Sequence, residues 1–252
     1  NLASYFATHG VATTIADFDP QSSSLNWLAQ RSAEAPAIHG ADLAPRVGLT
    51  LQNGRRQIPL STQQLIMDAP AGPSRLLLQD LLQRTESILI PVAPSAIDIH
   101  ATANFIKELL LVGQVRFRHI RVAVIANRVR NARPVYEPLE RFVSSLGIAF
   151  LTRVSDSDVY VDAAEKGLGI YDLPPEQCAA ELREFQPILH WVAGDVQVTA
   201  DGASSVMSNV IPKEGGNRFS SYFYGNYADE NMKADNVDDD LRAHGVTTGT
   251  YT

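Results

Sequence analysis

The chain has 252 residues, of which 45% are hydrophobic and 19% are charged. This is the composition of a soluble globular protein, long enough for one α/β domain of ordinary size with further residues beyond it. A single cysteine, Cys178, excludes an internal disulfide framework and fits a reducing cytosol. No apolar run reaches the ~18 residues of a membrane helix, and no signal peptide is visible. Because the chain begins at Asn1 without methionine, we expect its natural start to lie upstream.

Charge is distributed unevenly along the chain, whose formal net charge is −7. Residues 1–194 contain 17 Lys and Arg against 19 Asp and Glu, so this part is nearly neutral at −2. Residues 195–252 contain 4 against 9, a net charge of −5, and hold six of the 16 glycines. The change in composition after Gly194 predicts a boundary there, between an α/β domain and an acidic tail.

The first elements are a helix and a strand that ends in acidic residues. Residues 2–7 carry apolar side chains at helical spacing, and Gly10 provides a stop. Residues 11–16 read as a buried strand, which Asp17 and Asp19 follow in a turn. The serines at 22–24 can then cap a second helix.

Residues 65–68 repeat this arrangement, because a second apolar run ends in an acidic residue, Asp68, and a turn. Parallel strands that are buried on both faces have such sequences, and open α/β sheets bind ligands at the carboxyl ends of their strands. Asp17, Asp19 and Asp68 would suit a Mg²⁺–phosphate site, because the metal prefers oxygen ligands and an attacking water needs a carboxylate to orient it. The alternative is that both runs are ordinary strand-ending turns with capping aspartates.

Strands and helices alternate along the remaining domain, which predicts an α/β fold with a doubly wound, mostly parallel sheet. We expect further strands at 47–51, 87–92, 122–126 and 149–151. We expect helices at 76–82, 97–113, 134–147, 159–167 and 175–193. The first of these should place four leucines on its apolar side: Leu76, Leu77, Leu81 and Leu82.

Six arginines lie in an interval of 18 residues that contains no lysine and no acidic residue: Arg116, Arg118, Arg121, Arg128, Arg130 and Arg133. One interpretation is a patch that contacts DNA, because guanidinium groups suit phosphate backbones. The alternative is a solvated rim. Arg121 and Arg128 bracket one predicted strand, so all six cannot share one face.

Three motifs are Asp-Phe-Asp-Pro-Gln at 17–21, Met-Asp-Ala-Pro-Ala-Gly at 67–72, and Ile-Pro-Val-Ala-Pro-Ser at 90–95 followed by Asp98. Together they resemble the ParA/MinD family of deviant-Walker P-loop ATPases, over residues 1–194. The resemblance implies ATP and Mg²⁺ as cofactors, an ATP-dependent homodimer, a cytoplasmic location, and partition of DNA or positioning of cellular machinery. It also implies nonspecific DNA and a ParB-like activating protein as partners.

The same resemblance implies roles for the matching residues. Asp19 would orient the attacking water, Asp68 would hold Mg²⁺ through water, and Asp17 would support the metal side. Nucleotide contacts are implied for four further residues: Pro20, Gln21, Asn127 and Arg153. Of these, Asn127 would read the adenine, and the alternative is that it only turns the chain.

No Gly-x-x-x-x-Gly-Lys-Ser/Thr sequence occurs in residues 1–252. In the family, that phosphate loop and the strand before it would lie upstream of Asn1. We therefore expect a P-loop-type sheet that lacks its first strand, with a gap in its place, and a chain that does not hydrolyse ATP as given. A non-catalytic interaction module with the same fold is the alternative function.

Residues 211–227 resemble a different family, the TonB-dependent outer-membrane receptors. Their aromatic residues Phe219, Phe223 and Tyr227 alternate as a barrel strand would. The 58 residues after Gly194 cannot close a barrel. We therefore expect a joined chain whose tail, residues 195–252, is poorly structured, packs weakly on the ATPase part and is not an independent domain.

Overall fold

The computed structural model describes residues 1–44, 57–70, 72–111, 120–130, 136–193 and 221–224. The described strands are β1 Thr13–Asp17, β2 Ile38–Asp42, β3 Gln64–Ala69, β4 Ser87–Val92, β5 Arg121–Val129, β6 Ala149–Ser155 and β7 Ser221–Tyr224. The described helices are α1 Leu2–Thr8, α2 Ser23–Ala29, α3 Arg75–Gln83, α4 Ala96–Leu111, α5 Glu137–Ser145, α6 Asp158–Ala164 and α7 Ala179–Ala193. Two 3₁₀ turns, Ile170–Asp172 and Pro175–Gln177, lie between α6 and α7.

The strands form one seven-stranded sheet in the order β2-β1-β3-β7-β4-β5-β6. The sheet consists of two parallel three-stranded halves, β2-β1-β3 and β4-β5-β6. β7 lies between the halves and runs antiparallel to both of its neighbours. The expected fold class, an α/β fold with a doubly wound and mostly parallel sheet, is confirmed.

The centre of the sheet differs from the expectation of a gap. Residues 221–224, which belong to the acidic tail, pair with Ile66–Ala69 of β3 and with Ser87–Leu89 of β4. The expectation that the whole tail packs weakly is wrong for this short segment. The physical reason is that the facing edges of two buried strands require hydrogen-bond partners, and β7 provides them.

The core lies against the inner strands of the sheet. β1, β3 and β4 are buried along their whole length, and each has an apolar centre: Ile15–Ala16, Leu65–Met67 and Ile88–Ile90. On α3, the leucines that pack into the core are Leu77, Leu78, Leu81 and Leu82. Leu76 was expected on that side but is 80% exposed, because the helix turns it away from the sheet.

Several expected boundaries shift in the structure. β5 and β6 run further than expected, so that Asn127 lies inside a strand and not at its end. Arg153 likewise lies inside β6, beyond the expected end of that strand at residue 151. β2 was not predicted, because Ile38–Asp42 contains a histidine and a glycine and is only partly buried beside β1. The strand expected at 47–51 lies outside the described residues.

Candidate nucleotide and metal site

The two acidic residues that end β1 and β3 lie side by side. In the parallel pairing of these strands, Asp17 is the register partner of Asp68. Both side chains are fully buried, and the backbone N–H of Phe18 donates to the Asp68 carbonyl at 2.8 Å. The carboxylates predicted from sequence to share one sheet edge are therefore brought together.

Asp17 holds the start of α2. Its Oδ2 accepts hydrogen bonds from the backbone N–H groups of Ser24 at 3.1 Å and Leu25 at 3.3 Å, and its Oδ1 accepts one from Asp19 at 3.0 Å. A carboxylate at a helix N-terminus satisfies free N–H groups and is favoured by the helix dipole. The expected serine cap is replaced by this aspartate, since Ser22 makes no side-chain cap bond.

Asp19 is buried in the turn between β1 and α2. Its Oδ1 accepts from the backbone N–H of Gln21 at 2.8 Å, and its carbonyl accepts from Ser22 at 2.8 Å. Pro20 and Gln21 are exposed on this turn. Ser22 adopts a left-handed conformation with φ 51°, so the backbone of this turn is strained at that residue.

Ser24 is a site residue that the sequence reasoning missed. Its hydroxyl donates to Asp68 Oδ2 at 2.5 Å, which joins the first turn of α2 to the end of β3. A hydroxyl and a carboxylate are oxygen donors of the kind that Mg²⁺ accepts. The sequence places Ser24 in a capping role, and only the parallel pairing of β1 with β3 reveals its contact.

The donor set fits a metal that keeps most of its own water. Among the described residues, no group of three or more His, Cys, Asp or Glu side chains is placed to hold a metal ion. Mg²⁺ does not need such a group, because it is commonly bound through one or two carboxylates, water and substrate phosphates. Asp68 with Ser24 supplies the protein part of that arrangement, whereas Asp17 already uses both oxygens on backbone N–H groups.

A cavity of about 590 Å³ opens beside the carboxyl ends of β4, β5 and β6. Its apolar wall includes Pro91, Ile125 and Val154, and Asn127 is one of its polar lining residues. Gln30, which follows α2, also lines it, so the helix that Asp17 caps ends at this cavity. Apolar walls with a few polar groups are typical of small-molecule sites.

Asn127 is held in place by a buried tyrosine that the sequence reasoning did not single out. The Tyr136 hydroxyl lies 3.0 Å from the Val92 carbonyl and 3.3 Å from the Asn127 carbonyl, so its single O–H can donate to either one and links β4 to β5. Burial raises the pKa of Tyr136, which keeps the hydroxyl neutral and able to donate. An aromatic residue outside any expected motif carries no sequence signal for this role.

The comparisons with known proteins support the fold. No family model matches the chain. Over 164 residues the chain is 23% identical to the Maintenance of carboxysome distribution protein A of Halothiobacillus neapolitanus. The matched region covers 63% of this chain and 73% of that protein. The structure is similar to that of the MinD cell division protein of Aquifex aeolicus, with a TM-score of 0.54 and 14% identity over 78% of this chain and 89% of that one. The chain has a MinD-like fold.

The receptor resemblance of the tail gains no support from these relatives. An outer-membrane assignment for residues 195–252 is accordingly unsupported. Within the described ranges, no helix of this MinD-like fold is long and apolar enough to cross a bilayer.

Arg153 is exposed and is not among the residues that line the cavity. It pairs with Glu140 of α5, with Nη2 and Oε1 2.6 Å apart, while its neighbours Val154 and Ser155 line the cavity. Its nucleotide contact stays a prediction that this arrangement does not favour.

The described arginines of the basic interval make intramolecular contacts. Arg128 and Arg130 both bind Asp156, at 3.0 and 2.5 Å, and these contacts hold the pKa of that carboxyl below its usual value. Arg121, at the opposite end of β5, donates to the Trp191 carbonyl at 2.9 Å near the end of α7, where a cation is favourable. DNA contact stays a prediction for all six arginines, of which Arg116, Arg118 and Arg133 lie outside the described residues.

A buried ion pair joins the end of α2 to the 3₁₀ turn Ile170–Asp172. Arg31, just after α2, makes two bonds to Asp172, with Nη1 2.8 Å from Oδ2 and Nη2 2.7 Å from Oδ1. Their side chains are only 5% and 3% exposed. Arg31 also donates to the Gly167 carbonyl at 3.0 Å, and Trp27 donates to the Leu168 carbonyl at 3.2 Å. These contacts fix α2 against the loop that follows α6.

Proposed function

We propose that residues 1–194 form a ParA/MinD-type nucleotide-binding domain that positions DNA or cellular machinery. The observation that carries this proposal is the register pairing of Asp17 with Asp68 at the end of β1, together with a cavity at the ends of β4, β5 and β6 that Asn127 partly lines. Both features lie at the carboxyl ends of parallel strands, where open α/β sheets bind ligands. The similarity to a protein named for carboxysome distribution supports the positioning role.

The residues around this edge form two groups, one that contacts the adenine and one that holds the metal. In the proposal, Asn127 reads the adenine and Asp68 with Ser24 holds Mg²⁺ through water. Asp19 orients the attacking water, and Asp17 keeps α2 in position through its backbone bonds. When bound, Mg²⁺–ATP supplies the transferable phosphoryl group and the charge that neutralises it.

The charges around the cavity favour an uncharged ring over a phosphate. Glu184 accepts from the backbone N–H and hydroxyl of Ser155 at 2.8 Å, and Glu181 accepts from the Ser157 hydroxyl at 2.6 Å. Both serines line the cavity, so two carboxylates lie directly behind its wall. Arg128 also lines the cavity, but its charge is paired with Asp156. Like charges repel a phosphate there, whereas an adenine can pack on the apolar wall and hydrogen-bond to an amide.

The phosphates require groups that residues 1–252 do not contain in the usual sequence. A phosphate loop presents backbone N–H groups and a lysine, and catalysis of phosphoryl transfer rests mainly on such positioning and charge. We propose that the 252-residue chain binds nucleotide weakly and does not hydrolyse it. The proposal includes an ATP-dependent homodimer in the cytoplasm, with DNA or a ParB-like protein as partners of the loop-containing form.

The second candidate function is a non-catalytic interaction module. The observation that favours it is the engagement of Asp17, both of whose oxygens bind backbone N–H groups of α2 and of the turn. In that case the acidic residues at this edge only hold β1, β3 and α2 together. The two candidates differ in whether Asp19 acts in ATP hydrolysis or only in folding.

A phosphate-release assay separates the candidates. We expect the 252-residue chain to release no phosphate from Mg²⁺–ATP. A chain with a strand and a Gly-x-x-x-x-Gly-Lys-Thr loop joined ahead of Asn1 should release phosphate, and Asp19→Ala should abolish this while leaving nucleotide binding intact. Release by the unextended chain that disappears in Asp19→Ala would show that other residues hold the phosphates. No release by the extended chain, with nucleotide bound, would favour the interaction module.

A further inference from the structure

Two serine hydroxyls belong to the wall of the cavity that Asn127 also lines. Ser155 is the last residue of β6, Ser157 is the N-cap of α6, and both are half-buried. A hydroxyl has one proton to donate and two lone pairs that accept. The direction of each proton therefore decides whether the serine offers a donor or an acceptor to a bound molecule.

The proton of the Ser155 hydroxyl is committed to a carboxylate of α7. Glu184 Oε2 accepts from the hydroxyl and from the backbone N–H of Ser155, each at 2.8 Å. An ionised carboxylate only accepts, so the hydroxyl must be the donor. Its lone pairs are all that Ser155 has left to offer to a ligand.

Ser157 has the same polarity. Its hydroxyl donates to Glu181 Oε1 at 2.6 Å and accepts from the backbone N–H of Val159 at 3.3 Å. Glu181 is 7% exposed, so this contact is shielded from water. The Ser157 hydroxyl therefore has no proton to spare and one lone pair still available.

The side-chain amide of Asn127 cannot choose between bases by itself. An amide has a carbonyl oxygen that accepts and an NH₂ group that donates, and half a turn of the side chain exchanges them. It can therefore bond to a base that carries an exocyclic amino group or to one that carries a keto oxygen. The two serines lack this freedom, because a keto oxygen placed against them meets lone pairs and finds no donor.

We infer that Ser155 and Ser157 determine which base the cavity accepts, and that they select an exocyclic amino group over a keto oxygen. Adenine is then favoured over hypoxanthine and guanine. Glu184 and Glu181 are positioning residues, because they act by fixing the direction of the serine protons. This inference rests on the proposed base-binding role of the cavity and adds the groups that set its specificity. It does not depend on a phosphate loop.

The test compares three nucleosides in NMR titrations of the full 252-residue chain. Adenosine has the amino group, inosine has a keto oxygen in its place, and purine riboside has only a hydrogen there. We expect adenosine to bind at least about tenfold more tightly than inosine, because a site built to pair with an N–H group rejects an analogue that lacks it. Purine riboside should bind with intermediate affinity, since it loses a bond but places no oxygen against the serines.

Ser155→Ala should weaken adenosine binding at least about fivefold and leave purine riboside binding unchanged, because only adenosine has an amino group to lose a partner. Ser145→Ala is the matched control, since this exposed serine of α5 donates to the Phe142 carbonyl at 2.6 Å and does not line the cavity. Glu184→Ala frees the Ser155 proton and should lower the preference for adenosine over inosine. Glu184→Gln should retain that preference, because the Ser155 N–H keeps the amide oxygen in the place of Oε2.

Equal affinity of the parent chain for adenosine and inosine would overturn the inference. Equal weakening of adenosine and purine riboside in Ser155→Ala would also overturn it, because the serine would then only shape the cavity. An unchanged preference in Glu184→Ala would show that the carboxylate does not set the polarity. Binding of none of the three nucleosides by a folded chain is a different result, because it would refute the proposed function itself and the inference with it.

Discussion

Replacing Asp172 by asparagine tests how strongly α2 is anchored to the loop after α6. The change keeps the shape of the side chain but removes the charge that neutralises Arg31, which is 5% exposed. Arg31 would keep its bond to the Gly167 carbonyl, and the two charge-assisted bonds at 2.7 and 2.8 Å would be lost or weakened. Removing one partner of a buried ion pair typically destabilises a protein by about 3–5 kcal/mol.

Urea unfolding followed by tryptophan fluorescence measures this loss, because the Arg31 guanidinium lies 5.6 Å from the Trp27 ring centre. With a denaturant slope of about 2 kcal/mol/M, a loss of 3 kcal/mol lowers the unfolding midpoint by about 1.5 M. Asp80→Asn is the matched control, since the Asp80–Arg84 pair on α3 is more exposed and should contribute under about 1 kcal/mol. A midpoint shift for Asp172→Asn no larger than that of the control would refute the anchoring role.

The remaining predictions concern hydrogen bonding, titration and packing. Tyr136→Phe should lower the free energy of unfolding by about 1–3 kcal/mol, whereas Tyr160→Phe should leave it unchanged or raise it, because the buried Tyr160 hydroxyl has no hydrogen-bond partner among the described residues. Asp156→Asn should lower the melting temperature at neutral pH, because the two arginine partners of Asp156 lower the pKa of its carboxyl in the folded state. The difference in melting temperature from the parent chain should close as pH falls below the ordinary carboxyl pKa of 3.8. A gap that stays constant with pH would contradict this. Leu81→Ala should cost about 2–5 kcal/mol of stability and Leu76→Ala, at 80% exposure, under about 0.5 kcal/mol, as judged by urea midpoints.

The acidic edge of the site could be predicted from sequence because it depends on local patterns. Each of the runs before Asp17 and Asp68 is a short apolar strand, and parallel strands with acidic ends bring those ends together at one edge. The same local reasoning placed β4 correctly and located α3 to within one residue at each end. Such signals are contained in a few consecutive residues.

The contacts between distant segments could not be predicted in this way. The Ser24–Asp68 bond spans 44 residues and the Arg31–Asp172 pair spans 141. β7 is the clearest case, because its aromatic residues favour a strand but nothing in its sequence indicates that this strand lies at the centre of the sheet. Its placement is decided by the unmet hydrogen bonds of β3 and β4 rather than by local propensity.

The central claim is that the cavity beside Asn127 accepts an adenine base, and saturation-transfer NMR with adenosine tests it most directly. This method detects weak binding, and adenosine has no phosphate that could depend on a phosphate loop. We predict saturation transfer to the adenine protons with the 252-residue chain, its loss in Asn127→Ala, and its retention in Asn104→Ala, an exposed asparagine on α4 that does not line the cavity. Equal transfer in Asn127→Ala, or no transfer with a chain shown to be folded, would contradict the account.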